Sequence, residues 1–274
     1  MGHGIAHVAA IAGFQVFLFD VDANAVERGL ASVKRNLAKG IERGKVTEDE
    51  RDRALERIRA TTDFSALGAA DLFIEAVPEM MDLKRETLRQ IGKITEGKPF
   101  IFASNTSSLS ISEIAKSAAR PERVIGMHFF NPVHVMRLVE IVVGEKTSDE
   151  TLNVVRAAAA RMKKEAITVR DVPGFASSRL GVALGLEAMR MLEQEVASAK
   201  DIDTAMELGY NHPVGPLRLT DLVGLDVRLK IAEYLHSALG SEGFRPPEIL
   251  RRMVKEGKLG KKTGEGFYRW EEGK

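Results

Sequence analysis

Two short apolar runs, Val124–Phe129 and Leu138–Val143, are rich in Ile and Val and read as strands. Asn131-Pro132 breaks the chain between them, because the residue before a proline is pushed out of helical geometry. Paired as a hairpin with its loop centred near His134, the two runs set His128 opposite Glu140. An imidazole beside a carboxylate has a fixed tautomer and a steadied imidazolium, the arrangement wanted for proton transfer. A second polar stretch, Ser104-Asn105-Thr106-Ser107-Ser108, follows a strand-like run at 99–103 and would supply hydroxyl and amide donors to the same cleft.

The remaining pattern is alternation of strands and helices, then helices alone. Residues 1–12 read as a helix ended by Gly13, and residues 14–19 as a strand closed by Asp20. Helix, short link, and strand ending in an acid form the second half of a dinucleotide-binding βαβ unit, in which the acid bonds the adenosine ribose. Helical spacing with many positive charges covers residues 22–44, and Thr47-Glu48-Asp49-Glu50 is a capping box opening the next helix. A buried-type strand at 71–77 leads through Pro78-Glu79 into an amphipathic helix to about Gly97. A helix at 147–162 and a strand at 166–169 complete the first part. From Ser178 on, helices are expected at 179–196, 202–208, 217–239 and 247–256, with no strand. The fold class is therefore α/β: a Rossmann-like, doubly wound sheet domain over residues 1–172, then an all-α domain over 173–274.

Composition narrows the function. The 274 residues are 44% hydrophobic, enough to bury two cores of ordinary size, and the formal net charge of +1 gives no nucleic-acid footprint. Without cysteine the chain offers no disulfide, thiolate metal site or thiol nucleophile. No apolar run approaches the roughly 18 residues of a membrane span, and no signal core follows Met1, so a cytoplasmic protein is expected. His3 and His7 lie one helical turn apart, but with no third ligand in view they read as surface or helix-packing residues, and no metal is expected. Ser107 lacks a Gly-x-Ser-x-Gly elbow, so a hydrogen-bonding role is expected of it rather than nucleophilic attack. His134 has no evident partner and is expected to face solvent.

Ser104-Asn105-Thr106-Ser107-Ser108, then His128-Phe129-Phe130-Asn131-Pro132, then Leu138-Val139-Glu140 resemble the 3-hydroxyacyl-CoA dehydrogenases, NAD-dependent enzymes of fatty-acid β-oxidation and butyrate-type metabolism. The resemblance continues through Pro173-Gly174-Phe175 to Gly260-Lys261-Lys262-Thr263-Gly264-Glu265-Gly266-Phe267-Tyr268, nearly the whole chain. It implies NAD as cofactor, an acyl-CoA thioester as substrate, His128 as general base, and Glu140 as its orienting partner. Ser107 and Asn131 would hydrogen-bond the substrate. Gly2, Asp20, Glu79, Lys84, Asn105 and Ser107 would lie along NAD, and Asn36 and Arg43, with Lys39 nearby, along CoA. Alone, Asp20 reads as a surface acid; its 18-residue spacing from Gly2 and the resemblance make it the ribose ligand. The helical domain would form a homodimer interface and close over the acyl chain. Short-chain, 3-hydroxybutyryl-CoA-like substrates are expected, with dicarboxylyl or aromatic-pathway thioesters as alternatives.

Two departures accompany the resemblance. The family's first strand and Gly-x-Gly-x-x-Gly turn should precede and overlap Met1, and Gly2 is the only glycine of that turn present. A late start codon is the preferred explanation, a truncated and inactive product the other; either leaves strand edges unpaired. The second departure is Ser178, which stands where many family members have an Asn that contacts substrate; serine is shorter but can still donate. The rival readings are a non-catalytic structural or CoA-binding relative of the same fold, and a hydroxyacid or gluconate-type dehydrogenase. The second is disfavoured by His128-Phe129-Phe130-Asn131-Pro132.

Overall fold

The structure is a computed structural model that describes residues 1–95 and 97–270. It divides into two compact units, Met1–Asp171 and Val172–Lys274.

In the first unit, α1 (Gly2–Ile11) leads through Gly13, whose φ is +86°, into β1 (Val16–Phe19). The long α2 (Ala23–Glu42) is capped by the Asp22 carboxylate on the Asn24 amide, and α3 (Glu48–Glu56) carries the expected Thr47–Glu50 capping box. β2 (Ile58–Thr61) runs parallel to β1 and was not foreseen. Its four residues, Ile-Arg-Ala-Thr, present too little alternation to stand out from the charged helix before them.

β3 (Leu72–Glu75), α4 (Met81–Ile94), β4 (Ile101–Ser104), the short α5 (Ile111–Ala115), β5 (Val124–Phe129), β6 (Leu138–Val143), α6 (Asp149–Arg161) and β7 (Glu165–Arg170) follow. The described strands form two sheets, β1-β2 and β3-β4-β5-β6-β7, so β1 and β3 are each an edge. Pairing is parallel except between β5 and β6. α5 was also unforeseen. Its start is held by Asp171, which accepts from the Ser110 hydroxyl at 2.7 Å and the Ile111 and Ser112 amides at 3.0 and 2.7 Å, partners some sixty residues away in sequence.

One face of the larger sheet presents Ile125, Met127, Phe129, Val139 and Ile141 to Ile5 and Val8 of α1 and to Val155, Ala159 and Met162 around α6. Alternation then turns Gly126 and His128 of β5, and Glu140 and Val142 of β6, to the other face. There the sheet packs tightly: a Cβ on Gly126 would lie 2.7 Å from Val142 Cβ and 3.0 Å from Ile111 Cδ1. Burial on both faces explains why β5 reads as a continuous apolar run.

The second unit is helical: α7 (Ser177–Glu193), α8 (Ala199–Gly209), α9 (Pro216–Val223), α10 (Leu225–Leu239) and α11 (Glu248–Lys255), around Leu186, Met189, Leu217, Leu235 and Leu250. The single helix expected over 217–239 is two helices. Gly224 stands between them at φ +103°, outside helical space, and the apolar periodicity running through it conceals the break. Asp221 then gathers the carboxyl-terminal segment, accepting from the Phe267 and Tyr268 amides at 2.9 Å each and from Trp270 Nε1 at 2.8 Å.

Gly224→Ala forces a Cβ into left-handed backbone, 3.0 Å from Asp226 Oδ1 and 3.3 Å from Lys262 Nζ. It should destabilise this unit by about 1–3 kcal/mol. Urea unfolding followed by the fluorescence of Trp270, the only tryptophan, reads that loss.

Candidate active site

The β5–β6 register sets His128 against Glu140, as the strand pattern predicts. Both side chains rise from the same face, and His128 Nδ1 lies 2.7 Å from Glu140 Oε2. Glu140 is fully buried and His128 is 8% exposed. A buried carboxylate needs a donor, so Nδ1 carries the proton in the pair and Nε2 becomes the exchanging nitrogen. The His128 ring also rests 4.5 Å from the centroid of Phe130.

The second polar stretch follows β4, beside β5. Asn105 Oδ1 accepts the Phe129 amide at 2.8 Å, tying this stretch to the strand that carries His128. Its oxygen accepts here, which leaves the side-chain NH2 for the donor role expected of this stretch. Glu79 Oε1 gathers Thr106 Oγ1 at 2.5 Å, the Ser107 and Ser108 amides at 2.9 and 3.1 Å, and both serine hydroxyls at 3.3 and 3.2 Å. Ser107 is therefore poised on a hydrogen-bonded turn, not activated by a base. Burial raises the Glu79 carboxyl, but the Thr106 hydroxyl, the Lys84 charge and the Ser107 amide together hold it below the usual range.

Lys84 is 1% exposed and spends its protons inside the protein, with Nζ 2.9 and 3.1 Å from the two Glu75 carboxylate oxygens and 3.3 Å from Glu79 Oε2. Lys84, which the family resemblance puts beside the cofactor, is thus held among carboxylates at the end of β3. Glu75, which sequence reasoning missed, ends β3 and also accepts the Ser104 hydroxyl at 2.7 Å. Its only sequence signal is an acid closing an apolar strand.

Gly2 opens α1, with an added Cβ 4.0 Å from Ala76 Cβ, beyond the end of β3. Asp20 follows β1, exposed, and accepts the Asp22 amide at 3.1 Å. Asn36 and Asn131 come together in a cleft of about 290 Å³, also lined by His3, Ser32, Arg35, Pro132 and His134. Arg43 caps the far end of α2, exposed and outside that lining. Ser178 lies in the first turn of α7, in the second unit.

Arg35 gives the cleft its positive charge, and the two histidines are held towards the neutral form. His3 is lowered by burial and then by the terminal ammonium, His134 and Arg35, and His134 by burial and then by Lys164 and Arg43. Such a potential favours an anion. His134 is solvent-facing but not without a partner: its ring stacks on His7 at 5.4 Å and 9°. His7 packs within α1, 6% exposed, and its Nδ1 has no hydrogen-bond partner among the described residues. No group of three metal-ligating side chains occurs among the described residues. Lys164 pins the loop after β5 by donating to the carbonyls of Val133 and Met136.

An α/β unit with polar groups at the carboxyl ends of its parallel strands, and a buried His–Glu pair on β5 and β6, has the form of the nucleotide-binding oxidoreductases. Residues 1–172 match the 3-hydroxyacyl-CoA dehydrogenase NAD binding domain, and residues 174–270 the C-terminal domain of the same family. A probable 3-hydroxybutyryl-CoA dehydrogenase of Bacillus subtilis is 48% identical over 272 residues, covering 99% of this chain and 94% of its own. A protein of the same description from Deinococcus radiodurans is 43% identical, with 98% and 96% covered. The crystal structure of (S)-3-hydroxybutyryl-CoA dehydrogenase from Ralstonia eutropha superposes with a TM-score of 0.96 at 43% identity, covering 99% of this chain and 96% of that one. This chain belongs to the 3-hydroxyacyl-CoA dehydrogenase family.

The buried histidine gives a pH signature. Burial first, then His134, Lys164 and His3, lower the His7 imidazole to about 4. A histidine lowered in the folded state binds its proton more readily when unfolded. Stability is therefore full above about pH 6.5 and declines as pH falls towards 4, by about 3 kcal/mol in all. Urea midpoints between pH 7.5 and 4.5 should show that slope, and His7→Gln should flatten it.

Proposed function

We propose that this protein interconverts (3S)-3-hydroxyacyl-CoA and 3-oxoacyl-CoA with NAD, acting on short-chain thioesters of the 3-hydroxybutyryl type. The observation that carries the reading is the buried His128–Glu140 pair, 2.7 Å apart, on a sheet of the nucleotide-binding class. The identities of the relatives support the substrate class.

The residues fit the cofactor. Gly2 brings the amino end of α1 without a side chain, Asp20 offers an exposed carboxylate past β1, and Ser107 and Asn105 stand at the end of β4. NAD, when bound, supplies the hydride acceptor. His128 Nε2 takes the proton of the 3-hydroxyl, and Glu140 holds the tautomer and stabilises the imidazolium that forms. Ser107 and Asn131 hydrogen-bond the substrate oxygens as charge develops. Ser107 Oγ is directed at Glu79, and a turn of its hydroxyl is enough to present it to substrate. Asn36, Arg35 and the positive cleft receive the CoA phosphates, with Arg43 and Lys39 further along α2. Ser178 is assigned to the substrate on the family resemblance, with a side chain shorter than the usual Asn but still able to donate.

We place the enzyme in the cytoplasm, in β-oxidation or a butyrate-type pathway, as a homodimer. The dimer is supported by the apolar side chains exposed on the helical unit: Leu180 at 71%, Leu222 at 47%, Val223 at 40% and Val227 at 38%. The intact buried pair speaks against a purely structural relative.

With acetoacetyl-CoA, the chain should oxidise NADH. His128→Ala should lower kcat by at least about 100-fold, and Glu140→Gln, which keeps the shape but not the charge, by a comparable factor. Full turnover by His128→Ala would remove the mechanism. Turnover of free hydroxyacids in preference to CoA thioesters would move the chain to another substrate class.

A further inference from the structure

We propose that Arg228 is a specificity-determining residue that receives a carboxylate at the far end of the substrate's acyl chain. The protein then takes dicarboxylyl-CoA thioesters in addition to the unsubstituted short-chain ones. The proposal rests on the dehydrogenase reading and on Ser178 as a substrate contact.

The position is an unusual one for a cation. α10 buries Leu225, Arg228, Ala232 and Leu235, a single stripe at helical spacing, so Arg228 occupies a core position of the helical unit. It is 7% exposed, and its Nε makes no hydrogen bond among the described residues. Burial pushes the guanidinium down to about 10, and no carboxylate opposes that shift. The group is still charged at neutral pH. The nearest acid along α10, Asp226, already accepts from Lys262. A buried charge without a counter-ion is costly, and a carboxylate arriving there offsets that cost.

The guanidinium lies against α7. A Cβ built on Gly181 would stand 3.4 Å from Arg228 Nη1 and 3.8 Å from Nη2, so the missing side chain leaves that side of the group open. Gly181 follows Ser178 by three positions, which puts both on one face of α7, about 5–6 Å apart between Cβ positions. Both are half-buried. Small residues therefore lead from Ser178 to a fixed positive charge. Ser178 contacts the reacting end of the substrate on the family reading, and a carboxylate further along the same acyl chain comes within reach of the Nη atoms. A guanidinium meets a carboxylate with two parallel hydrogen bonds, whereas a methyl group at the same place would leave the charge buried and unpaired. A second copy of this chain is the weaker source of the missing anion. The exposed apolar Val227 lies off the buried stripe that holds Arg228, so a contact on that surface does not reach the guanidinium.

The test follows NADH oxidation by 3-oxoadipyl-CoA, whose acyl chain ends in a carboxylate, and by 3-oxohexanoyl-CoA, the same chain ending in a methyl group. It compares wild type with Arg228→Met and Gly181→Val. Calorimetric binding of adipyl-CoA and hexanoyl-CoA, which lack the 3-oxo group, thermal unfolding and sedimentation are read alongside. Wild type should favour the carboxylate-ended thioester in kcat/KM by about tenfold or more, as a site built for a polar group does against an analogue lacking it. Arg228→Met should abolish that preference, with adipyl-CoA affinity falling by about 10–100-fold while the melting temperature holds or rises. Should Arg228→Met not fold, Gly181→Val carries the same comparison, because its side chain fills the approach to Nη1 while the charge remains. Two results overturn the proposal: equal kcat/KM of wild type on the two thioesters, or an Arg228→Met variant that keeps the wild-type ratio between them. If that unchanged ratio comes with a smaller sedimenting species, the guanidinium belongs to an interface between copies. If wild type turns over neither thioester nor acetoacetyl-CoA, the dehydrogenase reading fails by itself. Arg228 is then judged on calorimetry, where adipyl-CoA bound more tightly than hexanoyl-CoA, and that difference lost in the variants, sustains the proposal and equal affinities refute it.

Discussion

A carboxylate at zero exposure in the middle of a sheet is the constraint on which this site is built. Glu140 costs several kcal/mol to desolvate unless a donor meets it, and His128 Nδ1 at 2.7 Å is placed to do so. The pairing depends on register. A slip of one residue between β5 and β6 would send the imidazole and carboxylate to opposite faces and bring apolar side chains out of the core. The same alternation that fills one face with Ile125, Met127 and Ile141 therefore holds the acid–base pair on the other. Core packing and site geometry are one requirement here.

The neighbouring strands extend the logic. β3, β4 and β5 are parallel, and polar groups at the ends of β3 and β4 bond the next strand: Glu75 to Ser104, and Asn105 to the Phe129 amide. Their carboxyl ends form a continuous polar rim above an apolar sheet. Such a rim is costly if any member is left unsatisfied, and here the carboxylates of Glu75 and Glu79 are met by Lys84, hydroxyls and amides. Satisfied networks of this kind hold a binding turn in one conformation before the ligand arrives. The cleft lined by His3, Arg35 and His134 is the complementary device: it offers the Arg35 guanidinium to an anion.

Much of the site was legible in the sequence. The two strand runs, the Asn131-Pro132 break between them and the His128–Glu140 opposition follow from two short apolar runs of six residues each, a local signal strong enough to set both strand limits. The capping box at Thr47 was equally local. Motif order carried the family, because several short segments in the right sequence constrain a chain more than any one of them. Less legible were features whose cause lies elsewhere in the chain. β2 is a strand because β1 is beside it, and α5 starts where it does because Asp171 reaches its amides. The helix over 217–239 broke at Gly224 because backbone conformation, not side-chain periodicity, decides there.

The sequence by itself determined the class of fold, the division between sheet and helical parts, and the chemical pair, since each rests on residue type and short-range period. Only the tertiary structure decided where Lys84 sits. A lysine near a helix start reads as solvent-facing, and its burial among Glu75, Glu79 and Val77 follows from how α4 docks against the end of β3. It likewise decided that His134 stacks on His7, and that Asn36 and Asn131 share one cleft. Long-range packing chooses which polar groups are desolvated together, and desolvation is what turns a common residue into a functional one.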